Sequence, residues 1–130
     1  MSQTTTLVLL PQTTWQGNTY ANLQYYDVVG EKKPAAAYYL GNKDLQTVNI
    51  NLAGVTGNIF IQASLATTPT DIDWFNVYEL QANAGAPSNT VPNFNAFINE
   101  AVNIEGNFVW MRAKVQDFHS GVVQYIKLSY

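Results

Sequence analysis

The side chains of this chain that could do acid–base or nucleophilic chemistry are few and scattered. His119 is the sole histidine, so a Ser-His-Asp arrangement must use it, with Ser120 or Ser64 as nucleophile. No Gly-x-Ser-x-Gly turn is present to display such a serine. The stretch Asp117-Phe118-His119-Ser120-Gly121 reads instead as a hairpin turn carrying a solvated histidine. One histidine and no cysteine rule out a metal site built from several imidazoles or thiolates. Asp71 and Asp73, in TPTDIDW, are alternate carboxylates that could hold a hard cation or sugar hydroxyls. Their plainer reading is a turn after Pro69, with Asp71 accepting from nearby backbone N–H groups. Glu79, Glu100 and Glu105 would form an acid/base pair only if the fold brought two of them together. There is no phosphate-cradling loop, dinucleotide fingerprint or metalloprotease helix. No catalytic residue, cofactor or metal is assigned, and the chain is expected not to be an enzyme.

Aromatic residues are the better lead, at 13% of the chain with 8 Tyr, 6 Phe and 3 Trp. The pairs Tyr25-Tyr26 and Tyr38-Tyr39 must send one ring to each face of a strand, so some rings are expected outside the core. Rings in such places meet another protein or a sugar. Trp74, at a strand start, is expected to plug the core. In FVWMRAKVQDFHSGVVQYIKLSY, read as a terminal hairpin, Val109, Met111, Ala113 and Val115 share one face. The other face then presents Trp110, Arg112 and Lys114, joined from the return strand by Tyr125 and Lys127. These five are the candidate partner-binding residues. The alternative is a carbohydrate-binding surface in which Trp15, Tyr38 or Tyr39 stacks on a sugar while Asp71 or Asp73 holds hydroxyls or Ca²⁺.

The elements that must position these residues are strands. Period-2 alternation dominates and no window carries a 3.6-residue stripe. Strands are expected near residues 4–10, 23–29, 36–40, 45–52, 59–65, 74–80, 97–104, 108–118 and 122–130. Turn signals fall at Gly30 to Pro34, Gly41-Asn42, Gly54 to Gly57, Thr67 to Asp71 and His119 to Gly121. Residues 81–95, QANAGAPSNTVPNFN, form the longest irregular piece and read as a surface loop, of a length that is usually functional or mobile. The expected fold is all-β, a two-sheet antiparallel sandwich of the jelly-roll kind. No linker divides the 130 residues, so one domain is expected, with a polar arm over about residues 1–6 that could pair with a neighbour's sheet edge.

Composition narrows the setting. Apolar residues make up 47% and charged residues 12%, with a net charge of -3 spread without blocks, so neither nucleic acid nor anionic lipid is an expected partner. The uncharged stretch from Leu45 to Thr70 is broken by Asn, Gly, Gln and Pro well short of the ~18 apolar residues of a membrane-spanning helix. The start MSQTTTLVLLPQ has no basic segment and a four-residue apolar run, so no signal peptide is expected.

Two stretches echo each other: GNIFIQASL at residues 57–65 and GNFVWMRAKV at 106–115, each preceded by Val-Asn-Ile, at Val48–Ile50 and Val102–Ile104. Alternation buries Ile59, Ile61, Ala63 and Leu65 in the first and turns Phe60, Gln62 and Ser64 outward. The apolar face of the second starts one residue later, at Val109, so Phe108, Trp110, Arg112 and Lys114 turn out. The echo reads as one strand-opening device used twice, with the later copy presenting an interaction surface.

GNIFIQASLATTPTDIDWFNV together with NIEGNFVWMRAKVQDFHSGVVQYIKLSY resembles small β-sandwich modules of tailed-bacteriophage virions, especially those of marine and cyanobacterial phages. The likeness covers about residues 45–130 and rests on structural positions. It implies a virion structural protein, a capsid decoration or a tail, baseplate or fibre subunit, made in the host cytoplasm. Such a subunit would assemble with copies of itself and other virion proteins. The same layout also resembles jelly-roll carbohydrate-binding and discoidin-like modules, which implies a host-glycan adhesin as the alternative.

Overall fold

The computed structural model describes residues 5–15, 26–37, 44–83 and 97–130. The tip of the N-terminal arm, Tyr25, Tyr38, Tyr39 and nearly all of the 81–95 loop lie outside these. The described strands are β1 (Thr6–Leu10), β2 (Thr13–Thr14), β3 (Tyr26–Val29), β4 (Lys33–Pro34), β5 (Leu45–Ser64), β6 (Phe75–Asn83), β7 (Phe97–Glu105) and β8 (Trp110–Ser129). The chain is all-β, as expected. Its eight described strands belong to one hydrogen-bonded antiparallel sheet, curled until nearly barrel-shaped.

Two strands of 20 residues, β5 and β8, pair along almost their whole length and form the spine. The outer edge of β8 carries β1 and β2 on its second half and β3 and β4 on its first. The outer edge of β5 carries β7 on its first half and β6 on its second.

Each spine strand is continuous where the sequence predicts two, over 45–52 and 59–65 and over 108–118 and 122–130. The expected terminal hairpin is one strand, because the residues on both sides of His119-Ser120-Gly121 pair with β5 in the same antiparallel sense. The turn residues there and at Gly54 to Gly57 make bends. Gly54 (φ 68°), Asp117 (φ 57°) and Gly121 (φ 82°) adopt left-handed backbone at register shifts where the two strands turn together. A Cβ on Gly121 would collide with the Gly54 carbonyl, so the two backbones approach too closely there for a side chain.

Each bulge also reverses which parity points inward. Along β5 the buried set is Gln46, Val48, Ile50 and Leu52, then Val55, Ile59, Ile61 and Ala63. Along β8 it is Met111, Ala113 and Val115, then Phe118, Val123, Ile126 and Leu128. These inner faces, with Leu9, Ala35 and Tyr130, form one core. Gln46 is buried with them: the side chain donates to the carbonyls of Ile104 (2.8 Å) and Asp44 (3.0 Å) and accepts from the Ala36 N–H (3.1 Å). Tyr78 on β6 donates to Glu100 Oε1 on β7 at 3.0 Å, tying together the strands that flank opposite halves of β5.

The Val-Asn-Ile copies are neighbours. They run antiparallel in β5 and β7 with Val48 opposite Val102, and Thr47 and Asn49 donate to Asn103 (2.7 Å) and Asn99 (2.8 Å). Gly57 sits inside β5 and Gly106 beyond the end of β7, so the Gly-Asn copies are not one device used twice.

Candidate interaction surface

Residues opposite one another across an antiparallel ladder share a face. On the outer side of the first half of β8, register places Arg112 beside Gln62 and Gln62 beside Asn76, with Lys114, Phe60 and Glu79 forming the next row. The first row is wired together. Arg112 Nε donates to Gln62 Oε1 at 2.8 Å, and Gln62 Nε2 donates to Asn76 Oδ1 at 2.9 Å, which fixes the orientation of the Gln62 amide. The guanidinium carbon lies 4.3 Å from the centroid of the Trp74 ring, a contact worth about 0.5–2 kcal/mol according to how far it is desolvated. Burial lowers the Arg112 pKa from its ordinary value, and the nearby Asp71 carboxylate opposes that shift.

Trp110 is held next to this row. Its indole N–H donates to the Thr67 carbonyl at 3.0 Å and Lys32 Nζ sits 4.9 Å from its ring centroid. Thr67 belongs to the segment joining β5 to β6, whose Asp71–Asp73 stretch is a short 3-10 turn. Asp73 Oδ2 accepts from the Thr70 N–H at 2.7 Å and from its hydroxyl at 3.0 Å. The turn expected after Pro69 is therefore present, but Asp73 rather than Asp71 caps it. The segment displays Ile72 at 91% and Leu65 at 63% exposure, and the half-exposed Phe75 packs edge-on against Phe108 at 5.8 Å.

Of the five residues proposed from sequence, Trp110, Arg112 and Lys114 share this face. Tyr125 and Lys127 do not join them: they face Asn51 and Asn49, at the other end of the bent spine. There the Lys127 ammonium lies 4.2 Å from the Tyr125 ring centroid, and Asn51 Nδ2 donates to Tyr125 Oη at 3.2 Å. Among the alternative residues, the half-buried Trp15 packs against the core and meets His119 edge-on at 5.4 Å, while Tyr38 and Tyr39 lie outside the described residues.

Several expectations are corrected. His119 is 5% exposed, inside β8, and is not a solvated turn histidine. Ser64 is fully buried and accepts from the Ala66 N–H at 3.1 Å, whereas Leu65, expected inside, is exposed. Val123, which strict alternation would put on the same outer face as Tyr125, is buried because the register shift beside it reverses the alternation. Trp74 does not plug the core; it is half-buried against Arg112. Sequence reasoning missed Trp74 and Asn76 as surface residues, and alternation alone could not show that Gln62 lies beside Arg112. Among the described residues no group of three or more His, Asp or Glu is placed to hold a metal ion, and no helix is long and apolar enough to cross a membrane.

No protein-family model matches the chain, and no curated protein and no solved structure is significantly similar to it.

Proposed function

We propose that the chain is a non-enzymatic structural subunit that assembles through protein–protein contacts, and that it docks by the outer face of the first half of β8. The observation that carries this reading is the pair of cation-stacked tryptophans, Trp74 and Trp110, kept out of the core beside the exposed Leu65 and Ile72. Rigid aromatic rings and arginine next to exposed aliphatic side chains are the composition of energetically dominant interface patches. The resemblance read in residues 45–130 supplies the proposed setting, a phage virion, with the subunit in a capsid decoration or in a tail, baseplate or fibre. In that reading the two halves of the curled sheet serve as the layers of a jelly-roll-like sandwich, and copies of the chain associate symmetrically.

Trp110→Ala and Trp74→Ala test the proposal, with light scattering after size exclusion for self-association and co-sedimentation with purified heads and tails for virion assembly. Both variants should remain folded, with a cooperative melt, and should associate at least about tenfold more weakly, since anchors of this type carry roughly 2 kcal/mol or more. Two folded variants that assemble like the parent would refute the docking face. Absence of the protein from purified particles would refute the virion setting.

A further inference from the structure

We infer that Arg112 is the centre of a carboxylate-recognition site, and that the partner segment it takes presents a single Asp or Glu side chain flanked by apolar residues. This rests on the docking face proposed above and names the chemistry of what docks there.

The guanidinium is pre-organised as a receptor. Its carbon lies over the Trp74 ring, 4.3 Å from the centroid, and Gln62 takes its Nε–H at 2.8 Å while itself anchored through Asn76 at 2.9 Å. Held over the ring and bound at Nε, the guanidinium leaves its two terminal nitrogens as a fork of restricted direction. Such a fork binds carboxylate oxygens in pairs with little further loss of side-chain entropy. Among the described residues the one ion pair found is Lys33–Glu31 at 3.5 Å, so Asp71 acts on the charge of Arg112 without closing a bridge to it.

The surroundings select the ligand. Lys114 lies two residues along β8 on the same face, and Lys32 sits over Trp110. Against these stand Asp71, beside Arg112, and Glu79, across Phe60 from Lys114. The cations favour one incoming negative charge, and the two carboxylates oppose a dianion or an acidic run. Exposed Leu65 and Ile72, on the segment that carries Trp74, offer apolar contact to the ligand's neighbours. That combination fits an isolated Asp or Glu in an otherwise apolar stretch and disfavours a phosphate group.

The test uses the full chain and two probes, acetyl-Leu-Glu-Leu-amide and its Gln counterpart, with inorganic phosphate as a third ligand. Titration is followed by NMR at the Arg112 Nε–H and the Trp74 indole N–H. The Glu peptide should shift both signals saturably, with affinity at least about tenfold above the Gln peptide and above phosphate, the scale of one charge-assisted pair. Arg112→Lys, which keeps the charge and loses the fork, should weaken the Glu peptide by roughly tenfold while the indole signal still reports a folded site. Equal shifts with the Glu and Gln peptides, tighter binding of phosphate, or an unaffected Arg112→Lys protein would each overturn the assignment. Failure here while Trp74→Ala and Trp110→Ala still weaken assembly would sink carboxylate recognition and leave the docking face standing. Failure of those tryptophan variants as well would remove both.

Discussion

If close backbone approach between the two spine strands dictates the bend, alanine at three glycines should separate backbone conformation from close approach. At Gly54 (φ 68°) an added Cβ would find its nearest neighbour at 3.9 Å, the Cα of Gly121, so only the left-handed backbone is penalised. That costs about 1–2 kcal/mol for a residue with a Cβ. At Gly30 no left-handed conformation is involved, but the Cβ would run into the Leu9 carbonyl, which cannot rotate away as a side chain could. Overpacking of this kind costs about 1–3 kcal/mol. Gly121 (φ 82°) combines the two: its Cβ would overlap the Gly54 carbonyl and come within 2.5 Å of the Ala53 oxygen. Adding the contributions gives roughly 2–5 kcal/mol for Gly121→Ala, a large part of the ~5–15 kcal/mol that holds an ordinary domain. Urea unfolding followed by tryptophan fluorescence should give the lowest midpoint for Gly121→Ala and the highest of the three for Gly54→Ala. If Gly121→Ala unfolds no earlier than Gly54→Ala, the two backbones do not approach as closely as described, and the bend has another cause.

Two further perturbations probe the ties around the spine. Gln46→Leu keeps the side chain's bulk but leaves the Ala36 N–H and the Ile104 carbonyl without their buried partner, so chemical denaturation should show a loss of about 2–4 kcal/mol. Tyr78→Phe removes the bond to Glu100 and should cost about 1 kcal/mol in the same assay. Burial, the bond to Glu100 and its negative charge raise the Tyr78 pKa above its ordinary 10.0. The unfolded chain thus gives up this proton first as pH rises. The contribution of Tyr78 is complete below pH 10.0 and is lost above it, and Tyr78→Phe should flatten that alkaline fall in stability. An alkaline fall of equal steepness in the variant would mean that other groups cause it.

What was legible in the sequence was local. Alternation within GNIFIQASL and GNFVWMRAKV assigns Ile59, Ile61, Ala63, Leu65, Val109, Met111, Ala113 and Val115 to the core; six of these are buried, Val109 is half-buried and Leu65 is exposed. It also places Phe60, Gln62, Trp110, Arg112 and Lys114 on the opposite side, where the cross-strand contacts put them. Gln46 could have been noticed as the one polar residue at an inward position of LQTVNINL.

The path of the chain was not legible, and the reason lies in the glycines. A Gly-rich stretch between alternating runs signals φ > 0, but the same signal serves a tight turn that reverses the chain and a bulge that bends it. The choice depends on which partner the following residues find, and that is a long-range matter. Taking His119-Ser120-Gly121 for a reversal folded Tyr125 and Lys127 back beside Trp110 and Arg112. Continuation through the bend carries them to the far end of β8, opposite Asn51 and Asn49. Trp74 was hidden for a different reason: it lies just before β6, outside the ladder register, so alternation could not show that its ring meets the Arg112 guanidinium instead of the core. A surface assembled from three strands of different sequence position, held by one amide relay from Asn76 through Gln62 to Arg112, leaves no motif in any one of them. Alternation turns Gln62 and Arg112 outward, but the relay depends on two ladders being in register at once: a one-residue slip of β8 on β5 would separate Arg112 from Gln62, and a slip of β6 on β5 would separate Gln62 from Asn76.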